Sequence, residues 1–372
     1  MTKILVTGAG GFAGHHFLEH VLATTDWDVT ATDSFRHKGK TDRIREVLDG
    51  QPAIGCACSG ACTETGGCPL AMPAWHSRVS VLTHDLTAPF SKQMVKQLED
   101  TDAIVAFASE SHVDRSITDP VPFIRNNTDV VLNTLELARK IRPRSFVLVS
   151  TDEVYGPVAA SDLYGHREWA PILPSNPYSA SKAAQEAIAI SYWRTFGVPV
   201  QIVNCMNMIG ERQDPEKFVP LVLRKVLKGK KVKIHGTPAH IGTRHYLHAR
   251  NLADGITYLL DSNPAVFPAH VDAYTGKHKY CTEFSEPDRY NIASPDRIDN
   301  LEMAQMIAHF AGKELRYELQ DFHGTRPGHD PHYGLNGAKM EATGWVQPVS
   351  LRDSLRKTVE WTMAHPEWLL DD

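Results

Sequence analysis

The first fourteen residues leave few folds open to this chain. Ile4-Leu5-Val6-Thr7 reads as a short buried strand, Gly8-Ala9-Gly10-Gly11-Phe12-Ala13-Gly14 follows at once, and Phe17, Leu18, Val21 and Leu22 then recur at helical spacing. Glycines at 8, 11 and 14 permit a tight strand-to-helix turn, close approach of a pyrophosphate to backbone N–H groups, and close packing of helix on strand. An ordinary loop can carry such glycines too, so their weight comes from context. The strand before them, the helix after them and Asp33 supply it. Asp33 ends a second strand pattern running from Asp28 to Thr32, where a carboxylate holds the ribose hydroxyls of NAD and repels the extra phosphate of NADP. Its other use would be as a turn or helix-cap residue.

Short apolar runs recur at Val79-Ser80-Val81-Leu82, Ala103 to Phe107, Ser145 to Val149 and Val200 to Val203, with helical stretches at 130–140 and 183–196 between them. That alternation predicts an α/β chain with a Rossmann-like, doubly wound parallel sheet. Beyond about residue 204 the regularity weakens, and Pro, Gly, His and Arg become frequent. The expected division is a dinucleotide-binding domain over 1–205 and a smaller, mainly substrate-binding C-terminal domain over 206–372. Segments near 241–260 and 289–294 are expected to return to the first domain. With 372 residues, 42% of them hydrophobic, and a net charge of −5, the chain can bury a large core and is no obvious partner for nucleic acid. No apolar run is long enough to span a bilayer, and no signal-peptide pattern precedes Lys3, so a cytoplasmic setting is expected.

The chemistry concentrates between residues 150 and 182. Ser150-Thr151-Asp152-Glu153-Val154-Tyr155-Gly156 follows a buried strand, and Pro177-Tyr178-Ser179-Ala180-Ser181-Lys182 opens a helix. Tyr178 and Lys182, four apart, share a helix face where an ammonium can lower a phenol pKa and Thr151 can hold the phenol oxygen. Such a base suits removal of a proton from a sugar hydroxyl. Asp152 and Glu153 add two carboxylates, which simple hydride transfer does not need and an elimination of water does. Adjacent carboxylates are more often a solvated turn, but at the end of a buried strand that reading recedes.

These motifs, together with Ser109 to Ser116, Asp214 to Pro220 and Arg326-Pro327-Gly328-His329-Asp330, resemble the extended short-chain dehydrogenases/reductases, and within them the nucleotide-sugar 4,6-dehydratases. The resemblance spans nearly the whole chain, and Thr151-Asp152-Glu153 is its most specific part. It implies a tightly held, recycled NAD seated on Gly8, Gly11, Phe12, Ala13, Gly14, Asp33, Asp85, Leu86, Phe107, Ala108, Tyr178 and Lys182. It also implies a nucleotide-diphosphate sugar held by Ser111, His112, Asn207, Lys217, Arg244, Arg326 and Tyr333. Thr151, Asp152, Glu153, Tyr178 and Lys182 would be catalytic, with Asp152 the acid and Glu153 the base. A homodimer through helices at 122–140 and 178–196 is a further implication. His112 would orient rather than transfer protons, facing the nicotinamide.

Several features depart from the family pattern. Met208 and Ile209 stand where Asn and Tyr are common, His245-Tyr246-Leu247-His248 follows the substrate arginine, and Val130 and Val131 replace small residues. The base and the sugar therefore stay open, as do a 4-epimerase, a decarboxylase, a 5,6-dehydratase or a non-catalytic dinucleotide-binding regulator. Residues 50–78 form an insertion holding Cys56, Cys58, Cys62 and Cys68. Four thiolates match the count for structural zinc, and a free or redox-variable loop is the even alternative. The basic run at 224–233 reads as a solvated helix end, and 261–288 as a surface loop.

Overall fold

The computed structural model describes residues 2–49, 77–159, 161–162, 164–262, 286–321 and 332–370. The cysteine insertion, most of the 261–288 stretch and Arg326 lie outside the described residues.

Thirteen described strands, in chain order, are β1 (Lys3–Thr7), β2 (Asp28–Asp33), β3 (Val79–Thr83), β4 (Ala103–Ala106), β5 (Ser145–Thr151), β6 (Val200–Cys205), β7 (Asn207–Ile209), β8 (Val232–Thr237), β9 (His240–Ile241), β10 (Thr243–His248), β11 (Asp288–Ile292), β12 (Arg297–Asp299) and β13 (Tyr317–Gln320). Seven of them build one sheet in the order β11-β6-β5-β4-β1-β2-β3, with every pairing parallel. The strand order reverses between β1 and β4. In an open parallel sheet a crevice forms there, outside the carboxyl ends of the strands.

Both faces of the inner strands β1, β4 and β5 are covered, which is why they read as continuous apolar runs rather than alternating ones. Ile4 and Val6 of β1 pack on one side with Phe17, Leu18 and Val21 of α1 (Phe12–Thr24), Ile44 and Val47 of α2 (Thr41–Leu48), and Leu252, Ile256 and Leu259 of a later helix, Ala249–Ser262. Leu5, one residue along, points the other way, into Ile104, Phe146, Leu148 and the helices Pro120–Ile141 and Pro177–Phe196. Both of those helices start earlier than apolar spacing alone suggested. Each carries proline in its first turn, where no backbone N–H is needed, and Asn176 caps the second in a capping box with Ser179.

Strand β11 pairs with β6 at the sheet edge, and Ala249–Ser262 lies against α1. Beyond β6 the chain forms two three-stranded sheets, β12-β10-β7 and β13-β8-β9, around a separate apolar cluster that includes Val222, Ile234, Met303 and Leu355. These strands run only two to six residues, too short for a clear period in the sequence. Among the described residues no helix is long and apolar enough to cross a membrane.

Candidate active site

A cleft of about 310 Å³ opens at the reversal point of the sheet and runs between the β1 turn and the segment after β7. One end is built by the glycines. Gly8 has φ +71°, and a Cβ there would come within 2.8 Å of the Ala108 backbone; a Cβ on Gly14 would collide with the Gly8 carbonyl. The first turn of α1 is thus pressed onto β1, and Gly11 at its N-cap has no side chain to shield the helix N–H groups from an anion. Beside it, Asp33 accepts from Gly10 N at 3.0 Å and Phe35 N at 2.9 Å. Burial nevertheless pushes its carboxyl above the usual range. Phe12, Ala13, Asp85, Leu86, Phe107 and Ala108 line the same end of the cleft. Arg36 forms a two-pronged ion pair with Asp85 across it, at 2.7 and 2.8 Å.

The other end is where β5 stops. Thr151 caps a 3₁₀ turn, Asp152–Tyr155, by accepting from Glu153 N at 3.3 Å, and its hydroxyl donates to Asp152 Oδ1 at 3.0 Å. Asp152 is sealed from solvent, its Oδ2 has no partner, and burial, with Glu153 adding to it, raises its pKa to about 7. Glu153 is partly exposed to the cleft and accepts from Asn176 Nδ2 at 3.2 Å, so the helix cap also holds a carboxylate. Tyr178 and Lys182 reach the cleft from the first turns of Pro177–Phe196.

Their electrostatics differ from the sequence expectation. Burial first, then the neighbouring Glu153, Cys205 and Asp152, hold the Tyr178 phenol well above its ordinary value, against its hydrogen bond with Thr151. The Lys182 ammonium donates to Val149 O at 2.8 Å and Gln185 Oε1 at 2.5 Å, and burial lowers its pKa to about 8. Desolvation outweighs the help expected from the lysine.

On the far wall, Ser111, His112, Asn207 and Lys217 line the cleft. His112 caps the short helix Val113–Thr118, accepting from Arg115 N, and its Nε2 lies 3.7 Å from Glu216. Lys217 donates to Ser111 O at 3.2 Å. Neither Arg244 nor Tyr333 is among the described residues that line this cleft. The Arg244 guanidinium stacks over the Tyr333 ring at 4.4 Å, close enough to Asp152 to draw its pKa downward.

Three buried charged residues were not singled out in the sequence. Glu186 accepts from Ser150 Oγ at 2.5 Å and Asn204 Nδ2 at 2.9 Å, and Arg289 reaches both Glu186 and the Tyr155 hydroxyl. Arg43 is the third, wholly buried behind the glycine turn. Glu186 stands one helical turn beyond Lys182, a spacing that could have flagged it; a lone arginine in Asp288-Arg289-Tyr290-Asn291-Ile292 carries no such signal.

A family model described as the NAD dependent epimerase/dehydratase family matches residues 4–271. The chain belongs to the NAD dependent epimerase/dehydratase family. This epimerase/dehydratase family member is 29% identical to a dTDP-glucose 4,6-dehydratase of Escherichia coli, over 99% of the chain and 94% of that protein. It is 30% identical to a dTDP-glucose 4,6-dehydratase of Neisseria gonorrhoeae, over 96% and 95%. A trifunctional Arabidopsis thaliana protein that includes UDP-glucose 4,6-dehydratase is 32% identical over 98% of the chain and 48% of its own length. Among solved structures, the dTDP-glucose 4,6-dehydratase of Streptomyces venezuelae, crystallised with NAD, superposes with a TM-score of 0.77 at 28% identity, covering 99% of this chain and 98% of the other. A UDP-glucuronic acid 4-epimerase of Bacillus cereus shares the fold at 21% identity and the same TM-score, covering 98% and 100%.

Proposed function

We propose that the chain is an NAD-dependent nucleotide-sugar 4,6-dehydratase that converts an NDP-hexose, dTDP- or UDP-glucose in type, to the NDP-4-keto-6-deoxyhexose. The observation that carries this reading is Asp152: a sealed carboxyl with one unpartnered oxygen and a pKa near neutrality, next to a second carboxylate at the mouth of the same cleft. Oxidation alone has no use for a protonated acid here; loss of water does.

The glycine turn, which presses α1 onto β1 and leaves its N-terminal N–H groups without a capping side chain, and the Asp33 carboxylate fit a dinucleotide. NAD, when bound, supplies the acceptor and later the donor of the hydride. The chain's own residues manage protons. Tyr178 takes the proton of the sugar O4; a cation in the cleft opposes the rise in its pKa and readies it. Oxidation at C4 acidifies the C5 proton, which Glu153 removes while held by Asn176. Asp152 gives its proton to O6, and the C6–O6 bond breaks with water departing. A hydride then enters at C6, and Glu153, whose partly exposed carboxyl exchanges its proton with solvent, delivers a proton to C5. Tyr178 has gained one proton and Asp152 has lost one, so their exchange through solvent closes the cycle.

Within this reading, residues 1–205 seat the dinucleotide, and 206–372 contribute Asn207, Lys217, Arg244 and Tyr333 to the sugar nucleotide. A homodimer through Pro120–Ile141 and Pro177–Phe196 is part of the same proposal, and the exposure of Leu132 on the first of these helices supports it. Incubation with dTDP-, UDP-, GDP- and CDP-glucose followed by an alkaline absorbance scan tests the activity. A keto-sugar chromophore from at least one is expected; none from any would overturn it.

A further inference from the structure

Arg43 lies on α2, carries no exposed surface, and touches no group in the chemistry above. A guanidinium has five N–H donors, and a buried one needs an acceptor for each. Here all five are met. Nε donates to Arg212 O at 3.2 Å; Nη1 donates to Gly10 O at 3.2 Å and Lys38 O at 2.7 Å; Nη2 donates to Arg212 O at 2.8 Å and pairs with Asp214 Oδ2 at 3.2 Å.

The acceptors come from three separate segments around one cleft. Gly10 belongs to the glycine turn, Lys38 to the loop after β2, and Arg212 and Asp214 to the segment after β7. Neighbours of each line the cleft: Gly11, Gly39 and Gln213. The segment after β7 is also held in an unfavourable shape. Arg212 has φ +61°, in the left-handed region that a non-glycine residue disfavours, and it is the Arg212 carbonyl that Arg43 grips twice. Its own side chain is tied to Glu46 of α2 at 2.6 Å. Lys38 to Glu216, at 3.4 Å, adds a weaker link between the same two loops.

We infer that Arg43 is a positioning residue that retains the dinucleotide, by fastening residues 211–217 to the glycine turn and the 34–39 loop so that cofactor exchange requires the guanidinium to release its acceptors. Lysine, with three donors at one point, cannot bridge the three segments. The inference rests on NAD as the cofactor. It accounts for how a cofactor regenerated within each turnover stays in a cleft whose two walls come from different parts of the chain.

The test uses the full chain loaded with NAD. NAD release, followed by dilution into excess labelled NAD, is compared among wild type, Arg43→Lys, Arg43→Met and Asp214→Asn, with melting temperatures measured with and without NAD. Release about tenfold or more faster in the folded variants, and a smaller rise in melting temperature on adding NAD, are expected. A purely structural role would lower both melting temperatures equally and leave the release rate within about twofold of wild type, and that result overturns the inference. Should Arg43→Met not fold, Arg43→Lys and Asp214→Asn decide it. A wild-type chain that neither contains nor takes up NAD would instead defeat the cofactor reading, a separate outcome.

Discussion

Glu186 and Arg289 meet at 2.8 Å with neither side chain exposed to solvent. The pair lies directly behind the reacting groups. Glu186 receives the hydroxyl of Ser150, Asn204 Nδ2 links Glu186 to the Thr151 carbonyl, and Arg289 reaches the hydroxyl of Tyr155 at the end of the 3₁₀ turn that carries Asp152 and Glu153. Removing one partner strands the other charge in the interior. Glu186→Gln and Arg289→Met are each predicted to cost about 3–5 kcal/mol in denaturant unfolding, and the two together less than the sum of the single losses. Glu186 also counters the burial that lowers Lys182 to about 8, so a folded Glu186→Gln enzyme should lose its ammonium at lower pH. The alkaline limb of its pH–rate profile then moves toward neutrality.

Asp152 predicts a conflict between stability and activity. Its pKa in the folded chain, about 7, lies above the unfolded value of about 3.9. The folded state therefore prefers the proton: the favourable contribution is complete below pH about 4 and is lost as pH rises through about 7. Asp152→Asn removes the penalty and should raise stability at pH 8 by on the order of 2–4 kcal/mol, while abolishing water elimination. In the wild type, elimination should weaken as pH climbs past about 7. A melting curve for Asp152→Asn that is unchanged between acid and alkaline pH relative to wild type contradicts the assignment.

Gly8 and Gly14 make a steric prediction. Alanine at either position meets backbone rather than a movable side chain, and at Gly8 it must also adopt φ +71°. Gly8→Ala should cost about 1–3 kcal/mol in stability and weaken NAD binding more than it weakens the fold. Calorimetric titration with NAD beside thermal melts separates the two.

Asn176 has two duties that one substitution exposes together. Its Oδ1 accepts from Ser179 N at 2.9 Å and its Nδ2 donates to Glu153. Asn176→Ala should lose about 1 kcal/mol of stability from the cap. It should also slow exchange of the C5 proton, while Asn176→Asp should restore the cap alone. Solvent-deuterium incorporation at C5 reports the second effect directly.

The central sheet was legible because both of its faces are covered: buried runs such as Ile4-Leu5-Val6 and Ser145 to Val149 have no solvent side to interrupt them. The cleft was legible for a related reason. Gly8, Gly14, Thr151, Tyr178 and Lys182 sit at strand ends and first helical turns, where local spacing determines what a side chain can face. The Arg244–Tyr333 stack left no such trace, since the placement of Arg244 depends on a short strand with no period of its own. Arg43 and Arg289 left no local trace, because their carboxylate partners and most of their other acceptors lie far away in the chain. The rise in the Tyr178 pKa was missed because spacing says which groups are near and nothing about how much water they lose.

In the proposed reaction, hydrogen leaves one carbon of a hexose and returns to another within a single cleft. This transfer is tested most directly with an NDP-glucose carrying deuterium at C4, turned over by the holoenzyme and analysed by mass spectrometry and NMR. Deuterium is expected at C6 of the same 4-keto-6-deoxy product, with a solvent-derived hydrogen at C5. Deuterium returned to C4, or a 4-keto product that keeps its C6 hydroxyl, would contradict it.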